Sequence, residues 1–125
     1  MLNGKRSHTT LPTIDTERAR AFYSEKLGME PNDDLPGGLV YETGGGRFVL
    51  YPTAVPSDGS HTQMGFTVDD IDAEVAELTA RGVAFEDYDM PDFDHETKIF
   101  SAGYIRAAWF KDSEGNLIGI VQFPS

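Results

Sequence analysis

Val68-Asp69-Asp70-Ile71-Asp72-Ala73-Glu74-Val75-Ala76-Glu77-Leu78-Thr79-Ala80-Arg81-Gly82-Val83 decides the fold, because the chain states this plan twice. Ile71, Val75 and Leu78 recur at helical spacing and form one apolar stripe. Asp69 can cap a helix N-terminus, and Gly82 can end the helix in the left-handed conformation. Upstream, Leu11-Pro12-Thr13-Ile14-Asp15 leads into Thr16-Glu17-Arg18-Ala19-Arg20-Ala21-Phe22-Tyr23 and then Leu27-Gly28-Met29. Here Ala19, Phe22, Tyr23 and Leu27 make the stripe. Asp15 precedes Gly28 by thirteen positions, as Asp69 precedes Gly82.

Strands are expected after each helix. Residues 39–43 and 47–51 flank Gly44-Gly45-Gly46, which reads as a hairpin turn. A phosphate loop is a poorer reading of these glycines, since no Lys-Ser/Thr pair and no helical pattern follow. In the second half, residues 83–87 start the sheet, and residues 104–111 and 117–123 close it as a hairpin. Gly115 can take positive φ in that last turn, and Asp112 can bond the turn backbone. Residues 52–60, rich in Pro, Ser and Gly, read as the link between halves. Residues 89–103 read as an acidic loop without a counterpart in the first half.

Each half is therefore β-α-β-β-β. One such unit cannot bury its apolar face alone, so the two should share one core. The expected fold is α+β: two βαβββ modules forming a curved mixed sheet around a cavity, helices outside. A single domain is expected over 1–125, with module one at about 5–53 and module two at about 61–123.

Composition narrows the function. The 125 residues carry 10 Lys and Arg against 21 Asp and Glu, a formal net charge of −11, so no basic footprint for nucleic acid exists. Such a surface favours cationic over anionic ligands. No apolar run approaches the ~20 residues that span a bilayer. The N-terminal Met1-Leu2-Asn3-Gly4-Lys5-Arg6-Ser7 has no apolar stretch of signal-peptide kind behind it, so a cytoplasmic protein is expected. The absence of cysteine excludes disulfides, thiolate metal sites and thiol nucleophiles.

Three motifs carry a resemblance over nearly the whole chain. They are Asp15-x-Glu17-Arg18-Ala19-x-Ala21-Phe22-Tyr23 with Leu27-Gly28, Val68-Asp69-Asp70-Ile71-Asp72 with Arg81-Gly82-Val83, and Phe110-x-Asp112-x-x-Gly115-Asn116. Together and in order, they resemble the vicinal oxygen chelate superfamily. That group includes glyoxalase I, extradiol dioxygenases and bleomycin resistance proteins. The small glyoxalase/bleomycin-resistance-like proteins of bacteria are the most similar. The resemblance implies a homodimer and a small-molecule ligand. It also implies four metal-ligand places, which here fall on His8, Val49, Gln63 and Gly119. Both carboxylates are missing, and hard divalent ions need anionic oxygen. His8 and Gln63 are the metal candidates that remain, and no cofactor is expected.

Strand alternation names the rest of the site. Thr10 and Pro12 share a face with His8, Arg47 and Tyr51 with Val49, His61 with Gln63, and Trp109 with Gly119. On the other face, Phe48, Leu50, Met64, Phe66, Phe110, Ile118 and Ile120 should pack under the helices. The expected ligand-binding residues are Trp109, Tyr51, Arg47, His8, Gln63, His61 and Tyr41. The face of Tyr41 depends on whether the glycine turn has two or three residues. Trp109 offers a flat ring for a planar ligand. Tyr88, Met90 and Phe93 in the acidic loop could fold over the pocket mouth.

The expected function is metal-independent sequestration of a small aromatic or amphipathic molecule, of the antibiotic-resistance type. The competing expectation is a metal-dependent lyase, isomerase or dioxygenase of glyoxalase type. No catalytic residue is singled out: neither a Ser-His-Asp order nor a nucleophile elbow is present.

Overall fold

The computed structural model describes residues 1–103 and 105–124. Module one comprises β1 (Thr9–Thr13), α1 (Thr16–Leu27), β2 (Asp33–Leu35), β3 (Gly38–Glu42) and β4 (Arg47–Pro52). Module two comprises β5 (Thr62–Thr67), α2 (Ile71–Ala80), β6 (Phe93–Asp94), β7 (Ile99–Ala102), β8 (Ile105–Lys111) and β9 (Leu117–Gln122). Tyr104, the expected start of β8, lies outside the described residues. Among the described residues no helix is long and apolar enough to cross a membrane.

The helix signals behave as the sequence predicts, with one shift. Asp15 caps α1 by accepting from the Arg18 N–H at 3.0 Å, and Gly28 ends it at φ 69°. In α2 the cap is Asp70 rather than Asp69; it accepts from the Ala73 N–H at 3.1 Å. Asp70 already has the extended backbone that a cap requires, and the helix begins at Ile71.

In each module the first strand crosses over through its helix to lie parallel beside the last strand. The orders are β1-β4-β3-β2 and β5-β9-β8-β7-β6, with β1 parallel to β4 and β5 parallel to β9. The α+β class and the paired modules are thus as expected, but hydrogen bonding makes two open sheets rather than one. Pro12 supplies a reason. It sits on edge strand β1 and has no N–H to offer a neighbouring strand. Its carbonyl accepts instead from the Asn116 side chain of module two, at 3.0 Å.

One apolar core joins the sheets beneath the helices. Tyr23, Tyr41, Phe48, Leu50, Ile71, Phe110 and Ile118 are all essentially inaccessible, and Phe48 meets Phe66 across the modules at 6.3 Å. Burying each such aliphatic or Phe side chain contributes about 1.5–3 kcal/mol.

Two expectations about local structure change. The acidic loop is not structureless: β6 and β7 form a hairpin that extends the second sheet. Residues 83–87 form no strand, only a single bridge from Phe85 to Phe110.

Candidate functional site

Each sheet buries one face under its helix and leaves the other open. On module two the open face is built around Trp109. Its partner across β9 is Gly119, and Gly65 pairs with Gly119 on the far side. A Cβ at 119 would stand 3.3 Å from both Cδ1 and Nε1 of the indole and 3.4 Å from Thr62 Cγ2. The indole therefore packs directly against this position, and a methyl there would push on the ring.

Tyr88 and the β6–β7 hairpin that follows it pack against this ring. Tyr88 meets Trp109 edge-on at 5.6 Å, and Phe100 lies 6.4 Å away on β7. Phe93 packs on Tyr88 at 5.9 Å, and the His95 ring sits 5.4 Å from Phe93. Short polar contacts tie this segment down. His95 Nδ1 lies 2.6 Å from Asp87, Lys98 donates to the His95 carbonyl at 2.7 Å, and the Glu86 N–H donates to the Trp109 carbonyl at 2.8 Å. The His95 contact holds the Asp87 carboxyl below its ordinary range, and burial raises the Tyr88 hydroxyl.

On module one the open face carries Arg47, Val49 and Tyr51 in alternation along β4, with Val40 opposite Val49. Arg47 Nε donates to Glu42 at 2.8 Å. His8, exposed just before β1, joins Arg47 in lining a cavity of about 530 Å³ at this end of the sheet. Tyr51 is partly exposed farther along the strand.

Three expected site residues fall elsewhere. Tyr41 is fully buried on the helix side, stacked on Phe48 at 4.8 Å and against Tyr23 at 5.6 Å. The turn between β3 and β4 has four residues, so Tyr41 pairs with Phe48 and shares its face. Burial raises the Tyr41 hydroxyl to about 12, and it has no hydrogen-bond partner among the described residues.

Gln63 sits at a register shift in β5, where Thr62 pairs with Leu117 and Met64 with Ile118. The irregularity sends Thr62, not Gln63, toward Gly119. The Gln63 amide is committed: it donates to Asn116 at 2.9 Å and accepts from the Leu117 N–H at 3.0 Å and from Ser57 at 2.8 Å. His61 is exposed before β5, its Nδ1 3.0 Å from Ser60.

These positions do not fit a divalent metal. Val49 and Gly119 carry no ligand atom, the indole packs against Gly119, and the Gln63 amide is already used. Among the described residues no group of three or more His, Asp or Glu side chains gathers as a metal centre.

The largest feature beyond the sequence reading is the turn between β8 and β9. Asp112 accepts from the Glu114 and Asn116 N–H groups at 2.9 Å, as the turn chemistry predicts, and also from the Tyr23 hydroxyl of α1 at 2.7 Å. Glu114 reaches into module one. It accepts from the Ile14 and Asp15 N–H groups at 2.8 and 2.9 Å and from Arg18 at 2.7 and 3.1 Å. Burial would raise the Glu114 carboxyl, but these donors outweigh it and hold the group at about 2. Burial and Asp112 push the Tyr23 hydroxyl well above its ordinary value. The signal in the sequence was four polar residues packed into one turn between apolar strands.

Residues 5–120 match the model of the Glyoxalase/Bleomycin resistance protein/Dioxygenase superfamily. The chain belongs to that superfamily. The uncharacterized protein YurT of Bacillus subtilis (strain 168) is 32% identical over 91% of this chain and 95% of its own. TnmS3, described as an antibiotic binding protein from Streptomyces sp. CB03234, is 30% identical over 97% of this chain and 98% of its own, with a TM-score of 0.70. A glyoxalase/bleomycin resistance protein/dioxygenase from Alicyclobacillus acidocaldarius shares the fold at 18% identity, covering 95% and 91% of the two chains, with a TM-score of 0.73.

Proposed function

We propose that this protein captures a planar aromatic or amphipathic small molecule on the open side of its sheets, without a divalent metal, as a resistance protein of the superfamily. The observation that carries the reading is the Trp109 indole packed against Gly119, a position that offers no carboxylate to a metal. An indole in that position offers stacking area and no charge for a cation. Capture needs affinity alone, with no catalytic base or metal. The antibiotic-binding description of TnmS3, similar over nearly its whole length, supports the same class of ligand. On this reading the protein is a cytoplasmic homodimer, and the exposed Leu35 and Val55 of module one give a second copy apolar surface to cover.

Trp109 is the single tryptophan, so its fluorescence reports the site directly. Titration with an anthraquinone is expected to quench it saturably, and Y88A is expected to weaken that binding. Elemental analysis of protein purified without chelator is expected to show no stoichiometric metal. A stoichiometric transition metal lost in H8A, or no quenching by any planar drug, overturns the reading.

A further inference from the structure

We propose that the cavity at the start of β1 and β4 binds the anionic end, a carboxylate or phosphate, of a small molecule. The cavity measures about 530 Å³, far more than one oxyanion fills. Arg6, His8, Glu42, Arg47 and the backbone of Gly45 and Gly46 are among the residues that line it. In a chain of net charge −11, this is a local reversal: two guanidinium groups and an imidazole face one carboxylate.

The groups differ in how far they are engaged. Arg47 is paired with Glu42. Among the described residues, Arg6 and His8 enter no ion pair. Glu42 thus shows what the Arg47 fork accepts, while Arg6 and His8 remain to hold a second anion. Guanidinium groups bind carboxylate and phosphate through paired, charge-assisted N–H donors. The glycine turn helps in a different way. A Cβ at Gly45 would meet nothing within 4 Å, so a ligand can approach that backbone closely.

The rest of the molecule has a direction to follow. Val49 and Tyr51 continue the face of Arg47 along β4, so an aryl body would lie along them. Only this clause rests on the open face being a small-molecule site; the anion subsite stands on its own residues. The acidic surface repels anions in general, so an anion held here is held by local contacts.

Amide NMR titration tests the proposal with benzoate, phenyl phosphate and inorganic phosphate, and with benzylamine as a cationic control. Shifts are expected at His8, Gly45, Gly46 and Arg47 with the anions and not with benzylamine. R6A and R47A should each weaken binding by about tenfold, and E42Q should tighten it several-fold by freeing the Arg47 fork. R6A removes an exposed side chain outside the core, so its fold is retained. Tighter binding of benzoate marks a carboxylate ligand and of phenyl phosphate a phosphate; either upholds the subsite. No shifts at millimolar anion, equal shifts with benzylamine, or full binding by R6A overturns it. Should the anions fail while an anthraquinone still quenches Trp109, capture stands and the anion subsite falls.

Discussion

The two closing hairpins hold the same place in the two modules and do opposite work. In module one the β3–β4 turn is Thr43-Gly44-Gly45-Gly46, exposed or half-exposed, closed by the Thr43 N–H donating to the Gly46 carbonyl at 2.9 Å. In module two the β8–β9 turn has Asp112, Glu114 and Asn116 all buried, and it binds the β1–α1 junction of the other module. Among the described residues the glycine turn gives no such return grip; the start of α2 is held by Gln122, which accepts from the Ile71 N–H at 2.8 Å. The open faces diverge likewise. Module two packs Tyr88 and Phe100 against Trp109, whereas module one leaves Arg47 beside a cavity. A repeated frame fixes where helices and strands go, and the turns and insertions decide which half clamps and which half stays open.

The contrast breaks most readily at Glu114. E114Q keeps an acceptor for the backbone but loses the charge that Arg18 meets, and is expected to cost about 3 kcal/mol in urea unfolding. The carboxyl ionises at about 2 in the folded chain against an ordinary 4.5. Its stabilisation is therefore complete above about pH 4.5 and is lost as pH falls toward 2. The stability gap between wild type and E114Q should close over that window. A gap independent of pH would show that the clamp does not depend on charge.

Next in size is G119A. The new methyl would stand 3.3 Å from the indole, so the ring must give way, at about 1–2 kcal/mol. A shift in Trp109 emission should accompany the loss, and the smaller ring of W109F should relieve it. Unchanged emission and stability would mean that the indole does not press on this position.

Y41F should act in the opposite sense. It deletes a buried hydroxyl that has no partner among the described residues, so a gain of up to about 1 kcal/mol is expected in thermal unfolding. Anthraquinone binding should be unaffected, because the ring lies on the helix side. The smallest effect belongs to T43A in the module-one turn, expected within about 0.5 kcal/mol of wild type. A loss matching that of E114Q would abolish the distinction between the two turns.

Much of the frame was legible because it rests on local chemistry. Asp15 and Gly28 bound α1 through caps that need only neighbouring backbone. The apolar set Phe48, Leu50, Met64, Phe110, Ile118 and Ile120 is buried as alternation predicts. The candidate site was less legible for two particular reasons. A register shift at Gln63 exchanged it for Thr62 on the open face, and a four-residue turn put Tyr41 into the core. In both, one residue more or less in a strand or turn reverses a face, and composition does not record that count.

The sequence by itself determined the doubled sequence of first strand, capped helix and closing hairpin, together with most of the buried faces. Periodicity, capping and residue identity are properties of short segments. Only the tertiary structure decided that the modules form two sheets, that Glu114 joins them, and that Trp109 packs between Gly119 and Tyr88. Glu114 lies about a hundred residues from Ile14 and Asp15, and their meeting depends on how whole modules pack, which no local pattern encodes.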